Sequence, residues 1–334
     1  MSPWNLSKEV KLKMKEINVL ILSAGRRVEL IQCFKRASNE LSIQSNIIAV
    51  DSSSLSPALY IADKFYIIPK IDDINYLSKL IEICIKEKIS IIIPTIDTEL
   101  PYLAISKDLI EMKTDAKVLV SSREVIDTFG SKLKAYNYFV KNNIPTPNII
   151  SQVDINKGKA SFPLFIKPNR GSSSLNAYRV NDSNELELYT KIIPDFILQE
   201  YIEGEEYTVD AFLDFQSKII SVVPRLRMST RSGEILKGKT IRDESIIDFV
   251  KNILIKIKPI GQITIQLFKT QANMKIIEIN PRFGGGAPMS IYAGANSPRF
   301  IYQLIMGNEI NYTNEFKDNM TFLRYDQTLV LNNE

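Results

Sequence analysis

Histidine is absent from all 334 residues. That absence excludes Ser-His-Asp and Cys-His nucleophilic catalysis, imidazole acid–base work and histidine-ligated zinc. Cysteine occurs twice, as Cys33 and Cys84, which is too few for a structural zinc site. Both lie in apolar patterns of helical spacing that suit buried free thiols better than a disulfide, and a reducing cytoplasm is the expected compartment. No apolar run is long enough to span a bilayer and no secretory leader is read, so no membrane association is expected. A net charge of +4, from 42 basic and 38 acidic residues, offers no case for a nucleic-acid surface. Two nucleotide signatures are missing as well. The turn Ser23-Ala24-Gly25-Arg26-Arg27 has one glycine where G-x-G-x-x-G is wanted, and G-x-x-x-x-G-K-[ST] occurs nowhere. Chemistry therefore falls to lysine, arginine, carboxylates, amides or a hard metal ion. Phosphoryl transfer works within that limit, because positioning and charge neutralisation carry most of it.

What is present centres on residues 263–286, ITIQLFKTQANMKIIEINPRFGGG. Ile263–Phe268 and Lys275–Asn280 alternate around a polar connection, which predicts an antiparallel hairpin. Strand periodicity puts Glu278 and Asn280 on one face and Ile277 and Ile279 on the other. Symmetry about Ala272 sets Gln266 opposite Glu278, with Cβ atoms roughly 5 Å apart. Three oxygen-bearing side chains then share one patch, followed by Pro281, Arg282 and Gly284-Gly285-Gly286. Such oxygens suit Mg²⁺, which commonly holds a substrate phosphate as well, and the Arg282 fork suits a phosphate or acyl-phosphate. A solvated sheet face is the plainer reading of Glu278 or Asn280 taken singly.

With 45% hydrophobic residues the chain can bury a sizeable core in two or three lobes. Residues 1–13 hold the only tryptophan, Trp4, and read as a docking arm, a disordered lead or the product of an upstream start. From Ile17 the pattern is βαβ: strand Ile17–Leu22, helix Val28–Leu41, strand Ile47–Val50 ending at Asp51. Helix Ile74–Lys88 and strand Ile89–Pro94 follow. Asp97 and Glu99 fall at the sheet's carboxyl edge, where open α/β sheets collect ligands, or simply cap the helix Leu100–Leu109. Ser121-Ser122-Arg123-Glu124 reads as a capping box opening a short helix that stops at Gly130, Ser131 caps a second helix, Lys132–Asn142, and Ile144-Pro145-Thr146-Pro147 is a stiff linker.

Beyond the linker, Phe162–Pro168 is a strand delivering Lys167 to the small-residue loop Asn169-Arg170-Gly171-Ser172-Ser173-Ser174. The loop reads either as a flexible hairpin or as a backbone cradle for phosphate. The segment Gln199–Glu206 joins two strands by an acidic turn. It reads as a surface turn, or as an adenine reader in which Glu206 accepts ribose hydroxyls. Arg225 and Arg227 share a strand face by the two-residue period, with Arg231 and Lys237 in the loop after it. They are a solvated edge or, facing the oxygen cluster, neutralise charge in phosphoryl transfer and hold a carboxylate. Arg299–Met306 is a helix and Thr321–Val330 a terminal strand.

The Q…E-x-N-P-R pattern of Gln266, Glu278, Asn280, Pro281 and Arg282 resembles the metal-binding end of ATP-grasp enzymes of the carbamoyl-phosphate-synthase large-subunit branch. The wording SAGRR…VDSS…ALYIADKFYIIP…IIPTIDTEL resembles the pre-ATP-grasp domain of that branch. The resemblance implies an α/β chain, α+β in its C-terminal part. It places a Rossmann-like pre-ATP-grasp domain over 14–120, after the extension 1–13. Linker helices and a mobile lid would occupy 121–205, and a C-terminal subdomain with the metal site 206–334. It further implies that Lys132, Lys167, Ser172 and Ser173 hold ATP phosphates. Gln199, Glu200 and Ile202 would meet adenine, and Glu206 ribose. Gln266, Glu278 and Asn280 would carry Mg²⁺, with Mn²⁺ as an alternative ion. Arg282 would face the transferred phosphoryl group, and segments similar to Arg225-Leu226-Arg227 occur in the relatives, so Arg225, Arg227 and Arg282 are the catalytic candidates. The expected activity is an ATP- and Mg²⁺-dependent ligase joining a small carboxylate, such as an amino acid, to an amine through an acyl-phosphate. Its partners are those small molecules, with no nucleic acid or membrane and a homodimer left open. The rivals are a non-catalytic nucleotide-binding module of the same fold and a kinase-like phosphoryl transferase. Gln199 stands where some relatives have Glu, and serines replace several loop glycines.

Overall fold

The computed structural model describes residues 16–157, 161–171 and 175–331. Residues 1–13, Ser172 and Ser173 lie outside that set. The N-terminal lobe runs β1 (Asn18–Ile21), α1 (Val28–Glu40), β2 (Ile47–Asp51), β3 (Lys64–Ile67), α2 (Tyr76–Lys86), β4 (Ile89–Ile93), α3 (Leu100–Lys113) and β5 (Lys117–Val118). The strands form one parallel sheet in the order β3-β2-β1-β4-β5. Strands of such a sheet are buried on both faces, which is why β1 and β4 read as continuous apolar runs. Alternate residues serve two cores. Val19 and Ile21 pack with Phe34 of α1, whereas Leu20 and Leu22 pack with Leu80 of α2 and Leu103 of α3. The edge strand β3 is largely exposed and β5 has two residues, so neither carries a periodic signal in the sequence.

Helices α4 (Arg123–Phe129) and α5 (Lys132–Lys141) follow. Ser131 caps α5 as predicted, accepting from Lys134 N–H, whereas Ser122, one residue after the Ser121 of the expected capping box, caps α4 and accepts from Val125 N–H. Next come α6 (Gln152–Asn156), β6 (Leu164–Pro168), β7 (Tyr178–Val180), α7 (Ser183–Ile192) and β8 (Phe196–Glu200). The three strands form a small antiparallel sheet, β7-β6-β8, on a core of its own built from Leu164, Ile166, Val180, Leu186, Ile193 and Leu198.

The remaining elements are β9 (Glu205–Leu213), β10 (Ile219–Arg231), β11 (Glu234–Thr240), α8 (Glu244–Ile257), β12 (Gly261–Lys269), β13 (Met274–Asn280), α9 (Ala287–Ala293), α10 (Ser297–Ile305) and β14 (Thr321–Leu323). Their strands make a six-stranded antiparallel sheet, β13-β12-β9-β10-β11-β14. The amphipathic α8, capped by Asp243, buries Ile246, Val250, Ile253 and Leu254 against it, with Phe129 and Phe139 of α4 and α5 alongside. The large sheet and the N-terminal lobe share one core. Phe34 meets Phe283 and Tyr302 edge-on, with ring centroids 6.2 and 6.1 Å apart. Two expectations are corrected here. Arg231 and Lys237 are strand residues, because β10 and β11 pair almost to their connecting turn. The terminal strand is three residues long, since only Thr321–Leu323 finds a partner, in β11.

Candidate active site

The β12–β13 hairpin pairs Gln266 with Glu278 and Thr264 with Asn280, the register that symmetry about Ala272 predicts. One residue further on the register shifts, and Leu267 pairs with Ile276. Ile277 is therefore the extra residue of a β-bulge, and a bulge disturbs the alternation of faces. The expectation that Ile277 shares the core face with Ile279 fails for that reason. Ile276 and Ile279 enter the core, while Ile277 lines the cleft beside Glu278. The bulge thereby puts an apolar surface next to the carboxylate.

The cleft has two chambers. The first, about 640 Å³, lies between the small sheet and the large one. Its walls include Lys167, Gln199, Tyr201, Ile202, Glu206, Phe268 and Ile277. Strand β8 ends at Glu200, so Tyr201 and Ile202 border this chamber beyond the strand's last residue. Gln199 is buried, and Glu200 is already engaged, accepting from Asn148 N–H at 2.7 Å and Lys275 Nζ at 2.5 Å. Glu206 stands 3.0 Å from Arg227 Nε. Burial raises the Glu206 pKa, and Arg227 opposes that shift.

Lys167 on β6 is 7% exposed. Burial lowers its pKa to about 8, against the pull of Glu278, with Lys132 adding to the depression. Lys132, at the start of α5, donates to the Gly171 carbonyl at 2.7 Å and lies 4.0 Å from Glu278 Oε1. Two lysines from different elements thus converge on one carboxylate in a partly dry cleft. Such a cluster holds unsatisfied charge that polyanionic oxygens would complete.

The second chamber, about 550 Å³, lies between the large sheet and the carboxyl edge of the N-terminal sheet. Arg225, Arg282 and Asn280 border it. Arg225 is 1% exposed and its Nε donates to Asp210 at 2.8 Å, while Ser290 donates to the same carboxylate oxygen at 2.6 Å. Arg227 donates to Thr208 Oγ1 at 3.1 Å and to the Gly233 carbonyl at 2.9 Å. Arg282 grips Asp97 with two hydrogen bonds, 2.7 and 2.6 Å, joining the large sheet to the N-terminal lobe. Lys132, Arg170, Gly171, Arg227, Gln266 and Glu278 line both chambers and so form the neck between them.

Two residues at this site are not among the site residues expected from the sequence. Arg27, in the turn after β1, donates to the Thr95 carbonyl at 3.2 Å and stands 3.9 Å from Glu234 Oε1. Its pKa is lowered by burial and then by Arg282. Glu234 opens β11 and also accepts from Arg324 at 3.0 Å. Arg27 ends the turn Ser23-Ala24-Gly25-Arg26-Arg27, part of the wording that resembles the pre-ATP-grasp domain, and follows a buried parallel strand, where ligands gather. Glu234 had no such signal.

A metal fits the neck on stated terms. Gln266, Glu278 and Asn280 offer oxygens only, as a hard divalent ion prefers. They bring a single carboxylate, and among the described residues no group of three His, Cys, Asp or Glu could hold an ion. An ion here would have to share its shell with phosphate oxygens and water, which is how Mg²⁺ is usually bound.

A cleft between a small antiparallel sheet and a large one, backed by a parallel α/β lobe, defines the ATP-grasp fold. The chain belongs to the ATP-grasp superfamily. The family described as "PylC-like, N-terminal domain" matches residues 19–118, and "ATP-grasp in the biosynthetic pathway with Ter operon" matches residues 192–328. A carbamoyl phosphate synthase large chain from Clostridium botulinum strain Langeland is 24% identical over 282 residues, covering 77% of this chain and 25% of its own length. The chain therefore spans about a quarter of that relative. Among solved structures, the Hydrogenobacter thermophilus 2-oxoglutarate carboxylase biotin carboxylase domain, in complex with MgADP, ADP and bicarbonate, aligns with a TM-score of 0.70. Its identity is 17%, over 91% of this chain and 73% of its own. The L-amino acid ligase from Bacillus licheniformis aligns with a TM-score of 0.65 and 17% identity, over 90% of this chain and 76% of its own.

Proposed function

We propose that this protein is an ATP- and Mg²⁺-dependent ligase that joins a small carboxylate to an amine through an acyl-phosphate. The observation that carries the reading is the neck, where Lys132, Arg227, Gln266 and Glu278 face both chambers at once. ATP occupies the first chamber, its base against Ile202, Ile277 and Gln199 and its phosphates toward Lys132 and Lys167. Glu206 reaches the ribose. The carboxylate substrate lies in the second chamber, among Arg27, Arg225 and Arg282. The γ-phosphoryl group then passes at the neck from ADP to a carboxylate oxygen. The amine's nitrogen attacks the acyl carbon, phosphate leaves, and the amine gives up a proton. Mg²⁺, held by Gln266, Glu278, Asn280 and phosphate oxygens, supplies charge neutralisation. The residues of the chain keep donor and acceptor in line and exclude water, and no imidazole is required. Buried Cys33 and Cys84, both free, agree with a reducing cytoplasm, and among the described residues no helix is long and apolar enough to cross a membrane.

The test is a screen of amino acids and other small carboxylates, with and without amines, for Mg²⁺-dependent ADP release and a condensed product by mass spectrometry. Glu278→Gln is expected to lower the rate at least about 100-fold. ADP release with no condensed product from any amine would replace the ligase by a kinase. Full biological effect in the Glu278→Gln protein would leave only a binding module.

A further inference from the structure

Beyond Glu234 lies a third chamber of about 560 Å³. It shares Glu234 and Ile235 with the second chamber and no residue with the first. The chambers thus stand in series, and Glu234 is a partition with Arg27 on one side and Arg324 on the other. The charged groups of the third chamber are Arg26, Arg231 and Arg324 against Glu234 and Asp326, an excess of one positive charge. Arg231 is held by Asp326 at 2.8 and 2.6 Å, and Arg324 by Glu234 at 3.0 Å and the Ile235 carbonyl at 3.1 Å. Arg26 is the exception: among the described residues it has no hydrogen bond and no ion pair within 4.0 Å. The two acids stay ionised. Arg231 lowers the Asp326 pKa, and the arginines around Glu234 outweigh the burial that would raise it. The excess cation therefore faces a cavity that shares no lining residue with the first chamber, and Arg26 meets Glu234 and Asp326 only through space. Guanidinium forks in that arrangement match phosphate or carboxylate oxygens.

We propose that the third chamber is the subsite of the amine substrate, and that this amine carries a remote anionic group, a phosphate or a carboxylate, seated at Arg26, Arg231 and Arg324. This deepens the ligase reading and rests on it for the word substrate. The amino end of such a molecule meets the Glu234 carboxylate, on the border of the chamber where the acyl-phosphate forms. Its anionic end points away from the nucleotide, so the two polyanions do not compete for one set of cations.

Calorimetry on the MgADP-saturated protein, with 2-aminoethyl phosphate, β-alanine and ethanolamine as probes, tests this. At least one anionic amine should bind about tenfold or more tightly than ethanolamine, and which of the two does so names the anion. Arg26→Ala should weaken that binding about tenfold, and Arg26→Glu should abolish it. Arg26 is exposed, so both variants should melt with the parent protein. The same titration on Lys167→Met without nucleotide should still show the Arg26-dependent binding. Equal binding of all three probes, no binding of any, or indifference to charge at position 26 overturns the inference. Arg26-dependent binding in a protein that releases no ADP with any substrate would keep the subsite and sink the ligase.

Discussion

Lys167 shows what a single buried charge costs this fold. The residue is 7% exposed, and burial moves its pKa from 10.5 to about 8. Between those values the unfolded chain still holds a proton that the folded chain has released, so stability rises with pH across that window. Below about pH 8 both states are charged and the cost, roughly 3 kcal/mol, stands in full. Lys167→Met should therefore raise the thermal midpoint at pH 7 while weakening nucleotide binding, and its advantage should fade toward pH 10.5. Scanning calorimetry at several pH values, beside a nucleotide titration, checks both halves. Glu99 gives the opposite slope. It is 3% exposed, accepts from Ser23 Oγ at 2.5 Å and leaves Oε2 without a partner. Burial raises its pKa from 4.5 to about 7, with the Ser23 and Tyr76 hydrogen bonds opposing. Here the folded chain holds the proton longer, so stability falls between pH 4.5 and 7 and the full cost stands above 7. Glu99→Gln should raise the midpoint at pH 8 and leave it unchanged at pH 4. A rise of equal size at both values would contradict the assignment.

At the scale of elements, the Gly284–Gly286 run after β13 is set by close approach. A Cβ on Gly286 would come 2.6 Å from Ile235 Cγ2 and 2.8 Å from Arg225 Nη1, both buried groups with nowhere to move. A Cβ on Gly285 would come 2.8 Å from Glu234 Oε1 and 2.9 Å from Arg27 Nη1, the free ends of longer side chains. Gly286→Ala should cost about 1–3 kcal/mol in denaturant unfolding. Gly285→Ala should stay within about 0.5 kcal/mol of the parent protein yet raise the KM for the proposed carboxylate substrate, because it parts Arg27 from Glu234. The run itself was plain in the sequence, but its reason was not. The glycines meet side chains from β1's turn, β10 and β11, which no spacing along the chain connects to them. The hairpin before it was legible down to the Gln266–Glu278 pair, since period-two alternation and a central turn fix register. The bulge at Ile277 was not, because one inserted residue leaves the composition of a strand unchanged.

At the scale of the molecule, the small sheet rests on a core of its own, whereas the other two lobes share one. A unit with so little shared core is the one expected to move. MgADP should slow amide exchange across β6–β8, residues 164–200, while the N-terminal sheet changes little; uniform protection would argue against a lid. The Asp97–Arg282 bridge and the Arg27–Glu234 approach tie the remaining lobes together across the second chamber.

By itself the sequence determined the chemistry available, since a chain without histidine must use lysine, arginine, carboxylates and amides. It also determined the periodic elements and the short-range pairing that brings Gln266, Glu278 and Asn280 to one end of a hairpin. Only the tertiary structure decided which charges meet: Asp97 with Arg282, Asp210 with Arg225, Glu206 with Arg227, and Arg27 with Glu234. Those partners lie far apart in the chain or on neighbouring strands, and Coulomb attraction of that kind leaves no periodic trace along the backbone. The three chambers belong to that level too, because a cavity is the space between elements and no residue encodes it alone.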